Sequence, residues 1–242
     1  MAIEDLASEV ALRQFEMEDL PRTPPFARTI AEVAFGVVKA LGAGDVSEAI
    51  GLMDKIHSSS EADTSAHLFK CVVEDLKCLH KKVKLSEQQT ADFVELLFDA
   101  DRKARQTRAK NRIKRIANVL TASMGMSPIP SPDETEEMTG LAVELSDQDV
   151  LVLKALQETQ QRYESNGGRV TPNLSLASVP GLSPEVVLST CGKLLSLGLI
   201  ADPQQRATSL GVASYPRGGG FMLLERGLRF LKFIESPPAP KL

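Results

Sequence analysis

Tryptophan is missing from this chain of 242 residues and tyrosine occurs only twice, so the flat aromatic platforms on which sugars or unpaired bases stack have little to be built from. Nine phenylalanines remain for cores. Cysteine is scarce too: Cys71, Cys78 and Cys191 make an odd number without paired spacing, which argues against a disulfide framework and for a reducing compartment. Long apolar runs are lacking. The most apolar stretch, from Ile30 to Gly44, is interrupted by Glu32 and Lys39 and falls short of the roughly 20 residues a bilayer span requires. The first residues, MAIEDLASEV, carry acids where a secretory leader needs basic residues and an apolar segment. A cytoplasmic protein without a membrane span is the expectation.

The motifs of chemistry are lacking as well. There is no phosphate loop, no dinucleotide fingerprint and no pair of carboxylates in a recognisable catalytic frame. His57 stands beside three serines, but neighbouring residues do not build a triad, and Ser60 reads as a helix cap. His67, Cys71, Glu74 and Cys78 fall on one helical stripe, yet that stripe spans about 16 Å, too far to close on one ion. The remaining candidates, His57, His80 and Cys191, lack metal-ligand spacing. A second helix contact explains the small cysteines. No catalytic residue, no metal and no cofactor is assigned, and the chain is not read as an enzyme.

What the chain does have is segregated charge and helical periodicity. The formal charge of −4 divides into an acidic stretch up to Asp101, a basic one from Arg102 to Val143, and a nearly neutral remainder. From Glu61 to Met124 there is neither proline nor glycine, and helix is expected almost throughout. Leu68, Phe69, Val72, Val73, Leu76, Leu79 and Val83 mark the buried stripe of a first helix. Ser86 with Gln89 forms a capping-box pattern for a second, faced by Phe93, Leu96, Leu97 and Ala100. A third is expected from Arg102 to Met124, and antiparallel packing is the natural arrangement. Three prolines between Asp19 and Ala27 set off an N-terminal arm. The stretch GMSPIPSPDETEEMTG has three prolines, four acids and two terminal glycines, the composition of a linker. The expected organisation is a helical domain over 1–124 with its arm, an acidic Pro-rich linker over 125–144, a second domain over 145–235 and a tail over 236–242.

Residues Arg102 to Arg115 hold eight basic side chains in fourteen and no acid. At 100° per residue, Ile113, Ile116, Ala117, Leu120 and Met124 form an apolar seam with Lys103, Lys110 and Lys114 on one side and Arg105, Arg108, Arg112 and Arg115 on the other. The arginine side is the candidate partner-binding surface or secondary nucleic-acid patch. Phosphate tracking, docking of an acidic protein and a membrane-surface helix are its functional readings. The bland alternative, neutralisation by Glu87, Asp92, Glu95, Asp99, Asp101 and the acidic arm, is favoured because the same domain supplies enough acids.

After the linker, LSDQDVLVLKALQETQQRYES reads as a helix capped near Ser146. LSLASVPGLSPEVVLSTCGKLLSLGLI then reads as a short helix, a turn at Pro180-Gly181 and a longer helix capped by Ser183 with Pro184 at its first position. Two helices across a short glycine-containing turn make a helix-turn-helix. The segment KLLSLGLI, with IADPQQRATS and GFMLLERGLRFLKFI after it, resembles the exit of a recognition helix, a first wing strand, and a returning strand with its closing helix. Residues 145–235 thus resemble the winged helix-turn-helix of bacterial transcriptional regulators, although Leu224 stands where such modules commonly carry a capping Thr or Ser. The expected fold is mainly α, an N-terminal helical bundle plus a C-terminal winged helix-turn-helix with a small β-hairpin.

The resemblance implies that Val186, Ser189, Thr190 and Lys193 face the major groove, with Arg206, Arg217 and Arg169 near phosphates. For DNA this is a poor set: one Lys, no Arg, Asn or Gln for bidentate base contacts, and Glu185 where phosphates would lie. Two functions follow. In the first, the chain is a DNA-associated regulator or adaptor that binds double-stranded DNA, a weakly basic module needing a homodimer for affinity. In the second, it binds another protein and touches no nucleic acid.

Overall fold

The computed structural model describes residues 60–78, 86–107, 109–126, 128–165, 179–202 and 221–235. These are mainly helical, with seven helices and one two-stranded antiparallel sheet. No helix among them is long and apolar enough to cross a membrane. The chain divides into two compact units, residues 1–144 with 233–242, and residues 145–232.

In the first unit, α1 (Ser60–Cys78), α2 (Glu87–Arg105) and α3 (Lys110–Gly125) pack around Leu68, Phe69, Val72, Phe93, Leu97, Ile116 and Leu120, all buried. The capping box forms as its sequence requires: Ser86 Oγ accepts the Gln89 N–H at 3.2 Å while the Gln89 side chain accepts the Ser86 N–H at 2.9 Å. Asp75 meets Thr121 and His67 meets Lys110, so α1 and α3 run in the same direction.

Two expectations are corrected here. The third helix is not continuous from Arg102. The α2 helix ends at Arg105, where the N–H groups of Gln106 and Thr107 bond back to Lys103 and Ala104 at 3.1 and 3.0 Å, and buried Thr107 accepts the Ala109 N–H at 3.2 Å. The break has a packing cause: Ala100 and Ala104 before it and Ile113 and Ile116 after it are all buried in this unit, which one straight rod could not achieve. Nor is the stretch up to residue 144 a linker. Pro132–Glu144 is a helix, α4, packed on α2 and α3 with Thr135, Met138, Thr139, Leu141 and Ala142 buried. The signs that suggested a linker are helix-start signals. Ser131 accepts the Glu134 N–H at 3.2 Å, Pro132 occupies the first helical position, and Asp133 and Glu134 lie in the first turn where the helix dipole favours acids.

The second unit holds α5 (Asp147–Ser165), α6 (Pro184–Ser196), β1 (Ile200–Ala201) and β2 (Met222–Leu223). A last helix, α7 (Glu225–Ile234), follows β2, and its final residues Phe233 and Ile234 group with the first unit, where Asn118 Nδ2 donates to the Ile234 carbonyl at 2.7 Å. Ser183 caps α6 with Pro184 at its start. The other end closes at Gly198, φ +66°, with Leu199 N–H bonded to Leu194 O and Gly198 N–H to Leu195 O, each at 3.0 Å. This left-handed closure turns the chain directly into β1, which pairs Ile200 with Leu223 and Ala201 with Met222. The short helix expected before Pro180, the wing residues between the strands, the N-terminal arm and the tail lie outside the described residues.

Candidate interaction face on α5 and α6

The N-terminus of α5 is locked by a reciprocal cap. Ser146 Oγ accepts the Asp149 N–H at 3.2 Å and Asp149 Oδ2 accepts the Ser146 N–H at 2.7 Å. The same Asp149 oxygen takes a second donor, Lys193 Nζ of α6, at 2.7 Å. Burial alone would push the Asp149 carboxyl up, but the hydrogen bonds from Lys193 and Ser146 outweigh it and hold it below the usual carboxylate value. With the Asp149 side chain 6% exposed, this is a positioned ion pair rather than a solvated one.

The side chains expected to face DNA are therefore placed unequally. Ser189 is exposed, Val186 is half-buried and Lys193 is turned along its own protein toward Asp149. Thr190 corrects the expectation: it is buried, on the same inward face as Val187, Cys191 and Leu194. Burial pushes the Cys191 thiol up to about 11, so it serves as packing and not as a nucleophile. Arg206, Arg217 and Arg169 lie outside the described residues. Arg226, which follows β2, donates to the Leu197 carbonyl at the end of α6.

Between α5 and α6 opens a cleft of about 430 Å³ lined by Gln148, Asp149, Glu185, Val186, Ser189, Thr190 and Lys193. Glu185 is fully exposed at its edge, its carboxyl held below the ordinary value by its own backbone N–H and by Ser183. One turn beyond two of these lining residues stand large apolar side chains that sequence reasoning passed over: Leu151 on α5, 49% exposed, and Leu188 on α6, 55% exposed. A signal existed for Leu151: the apolar run Val150-Leu151-Val152-Leu153 sweeps about 300° of the helix, wider than one packed face. The pair Val187-Leu188 gave none, since adjacent residues can both be buried, as Leu68 and Phe69 are.

The second candidate, the basic run, is split by the turn between α2 and α3. Arg105 pairs with Asp101 at 3.0 Å, and Lys103 reaches Asp99 at 2.6 Å and Glu136 at 3.6 Å. Arg102 also contacts Asp99. Arg115 is buried, Arg112 is half-buried, and Arg108 lies outside the described residues, so Arg105, Arg108, Arg112 and Arg115 do not form one exposed stripe. Among the described residues no group of three or more His, Cys, Asp or Glu side chains converges as a metal site. His67 approaches Cys71 at 4.0 Å, and burial raises that thiol.

No protein-family model, curated protein or solved structure matches the chain.

Proposed function

We propose that residues 145–235 form a winged helix-turn-helix that binds another protein through α5 and α6, within a chain that acts as an adaptor rather than an enzyme. The observation that carries this reading is the Lys193–Asp149 pair. The one cation of α6 is bound to a carboxylate of the same unit, and the exposed part of the helix shows Glu185, Leu188 and Ser189. Duplex DNA presents closely spaced phosphates and rewards the opposite pattern, free cations with Arg, Asn or Gln at base edges. Exposed leucines flanking a polar cleft instead suit a protein interface, where apolar anchors are ringed by polar groups. The winged form is supported by the Ser183 cap, the left-handed Gly198 and the short antiparallel pair.

The rival reading, a DNA-associated regulator using the same unit, places its phosphate contacts on Arg206 and Arg217. A photo-crosslinker at position 189 in the full chain, activated in cells that express it natively, separates the two. A protease-sensitive, nuclease-resistant adduct is expected, and it disappears with Leu188→Asp. A nuclease-sensitive adduct at position 189, or DNA affinity that drops with Lys193→Ala or Arg217→Ala, returns the face to DNA.

A further inference from the structure

The basic run has two chemically different halves. At the end of α2 each described cation faces an acid: Arg102 and Lys103 meet Asp99, Lys103 also reaches Glu136, and Arg105 holds Asp101. Beyond the turn three cations stand differently. Among the described residues, Lys110, Arg112 and Lys114 on α3 have no carboxylate within ion-pair distance, and neither has Lys70 on α1. Lys70, Lys110 and Lys114 are exposed and Arg112 is half-buried.

The fold brings Lys70, Lys110 and Lys114 to one seam, while Arg112 lies on the other side of α3. Lys110 and Lys114 are one turn apart on α3, while His67 and Lys70 are one turn apart on α1, and the His67 ring hydrogen-bonds the backbone of Lys110. Burial, then the charges of Lys110 and Lys70, keep His67 below the usual histidine value even though Glu74 pulls the other way. The ring is therefore neutral at physiological pH and the positive field belongs to the lysines. The acids of the seam whose side chains are described, Glu74 and Asp75, sit further along α1. Asp75 is engaged by Thr121 at 3.5 Å and feels Lys114 without pairing with it, and Glu74 is exposed. At this same place α3 begins with exposed Ala109 as its cap residue, no side-chain cap and no acid in its first turn, so the positive end of the helix dipole adds to the lysines.

We propose that Lys70, Lys110 and Lys114, gathered around the start of α3, bind the phosphate groups of a nucleic-acid backbone. An acidic protein would need apolar or aromatic anchors at its interface, and among the described residues no exposed large apolar side chain stands on α1 or at the start of α3. A phosphate backbone needs only charge and N–H donors. Lysine ammonium groups on phosphates read no base edges, so binding is independent of sequence. Nucleic acid is thereby moved from the face that the winged-helix resemblance implies to the helical unit. The inference is independent of the role given to α6.

The test uses the full-length protein and a mixed-sequence DNA duplex, with affinity measured against salt. Three phosphate contacts predict a slope of log K on log salt of about −2.5 to −3. The triple variant Lys70→Gln, Lys110→Gln, Lys114→Gln should flatten the slope to near zero and weaken binding by about tenfold or more at low salt. Its thermal midpoint should be unchanged, because all three side chains are exposed. Lys154→Gln with Lys232→Gln, two exposed cations outside the seam, should leave both slope and affinity alone. Absence of binding at low salt, or a slope indifferent to the triple variant, overturns the assignment. So does polyglutamate binding as tightly as DNA, which would make the ligand an acidic protein.

Discussion

Lys193 and Asp149 stand 44 positions apart in the chain and 2.7 Å apart in space, joining the last turn of α6 to the cap of α5. One carboxylate oxygen thus closes a helix terminus and anchors the side chain that would otherwise be the DNA contact of α6. Asp149→Ala removes the cap and the ion pair together and should cost about 1–2 kcal/mol in urea unfolding at neutral pH. Lys193→Ala should cost less, about 0.5–1 kcal/mol, because that side chain is 37% exposed and partly screened.

The same pair sets a pH dependence. The folded Asp149 carboxyl lies below its ordinary value, so on acidification the unfolded chain takes up this proton first. The stability it contributes is fully present above the unfolded pKa, about 3.9, and is lost as pH falls through the lower folded value. Thermal midpoints of the parent and Asp149→Ala should differ at neutral pH and draw together below about pH 4. A gap that persists in stronger acid assigns the effect to packing instead.

Gly227 in α7 lies against β1 and β2. An added Cβ would collide with the Leu199 carbonyl and stand 2.8 Å from Leu223 Cδ1, one of them backbone that cannot yield. Gly227→Ala should therefore lower stability by about 2–3 kcal/mol. Gly140→Ala is the matched control, with nothing within 4 Å of the new atom, and should be neutral or slightly stabilising.

Gly192 is exposed in the middle of α6, and a Cβ there would also meet nothing within 4 Å. Nothing in the described structure requires a glycine at that point, where it costs helix stability. Gly192→Ala should raise stability by about 0.5–1 kcal/mol. If a protein docks closely on α6, the same change should weaken crosslinking from position 189. Unaltered crosslinking places the contact toward Leu151.

The ion pairs at the end of α2 differ in burial and should differ in energy. Asp101 is 1% exposed and Arg105 13%, whereas Arg102 is 51% exposed. Arg105→Ala leaves a carboxylate in the core with less compensation and should cost about 2–3 kcal/mol. Arg102→Ala should stay within about 0.5 kcal/mol. Unfolding midpoints of the two single variants make the comparison.

Much of the local structure was legible residue by residue. The Ser86–Gln89 box, the Ser183-Pro184 start of α6 and the glycine at its end are written in neighbours three or four positions apart, and they form as expected. Leu68, Phe69, Val72, Val73 and Leu76 of the first stripe and the seam of Ile113, Ile116, Ala117, Leu120 and Met124 are buried for the same reason, while Leu79 and Val83 lie outside the described residues. The reading failed where one local pattern serves two structures. Proline and acids after Gly125 suit a linker or a helix start, and only the groove between α2 and α3 that accepts Met138 and Leu141 decides for α4. The basic run carries helix formers throughout, so its break at Gln106–Ala109 answers to the core and not to propensity.

Periodicity and caps, which depend on spacing along one element, made this chain helical and marked most of its helix ends. Which cations remain open and which are held was decided by the tertiary structure alone: Lys193 by an acid 44 residues away, Lys103 by Glu136 on another helix, Lys110 and Lys70 both beside His67 with no carboxylate of the described residues in ion-pair reach. Charge acts through space over a few ångströms, and the sequence carries no record of distances between separate elements.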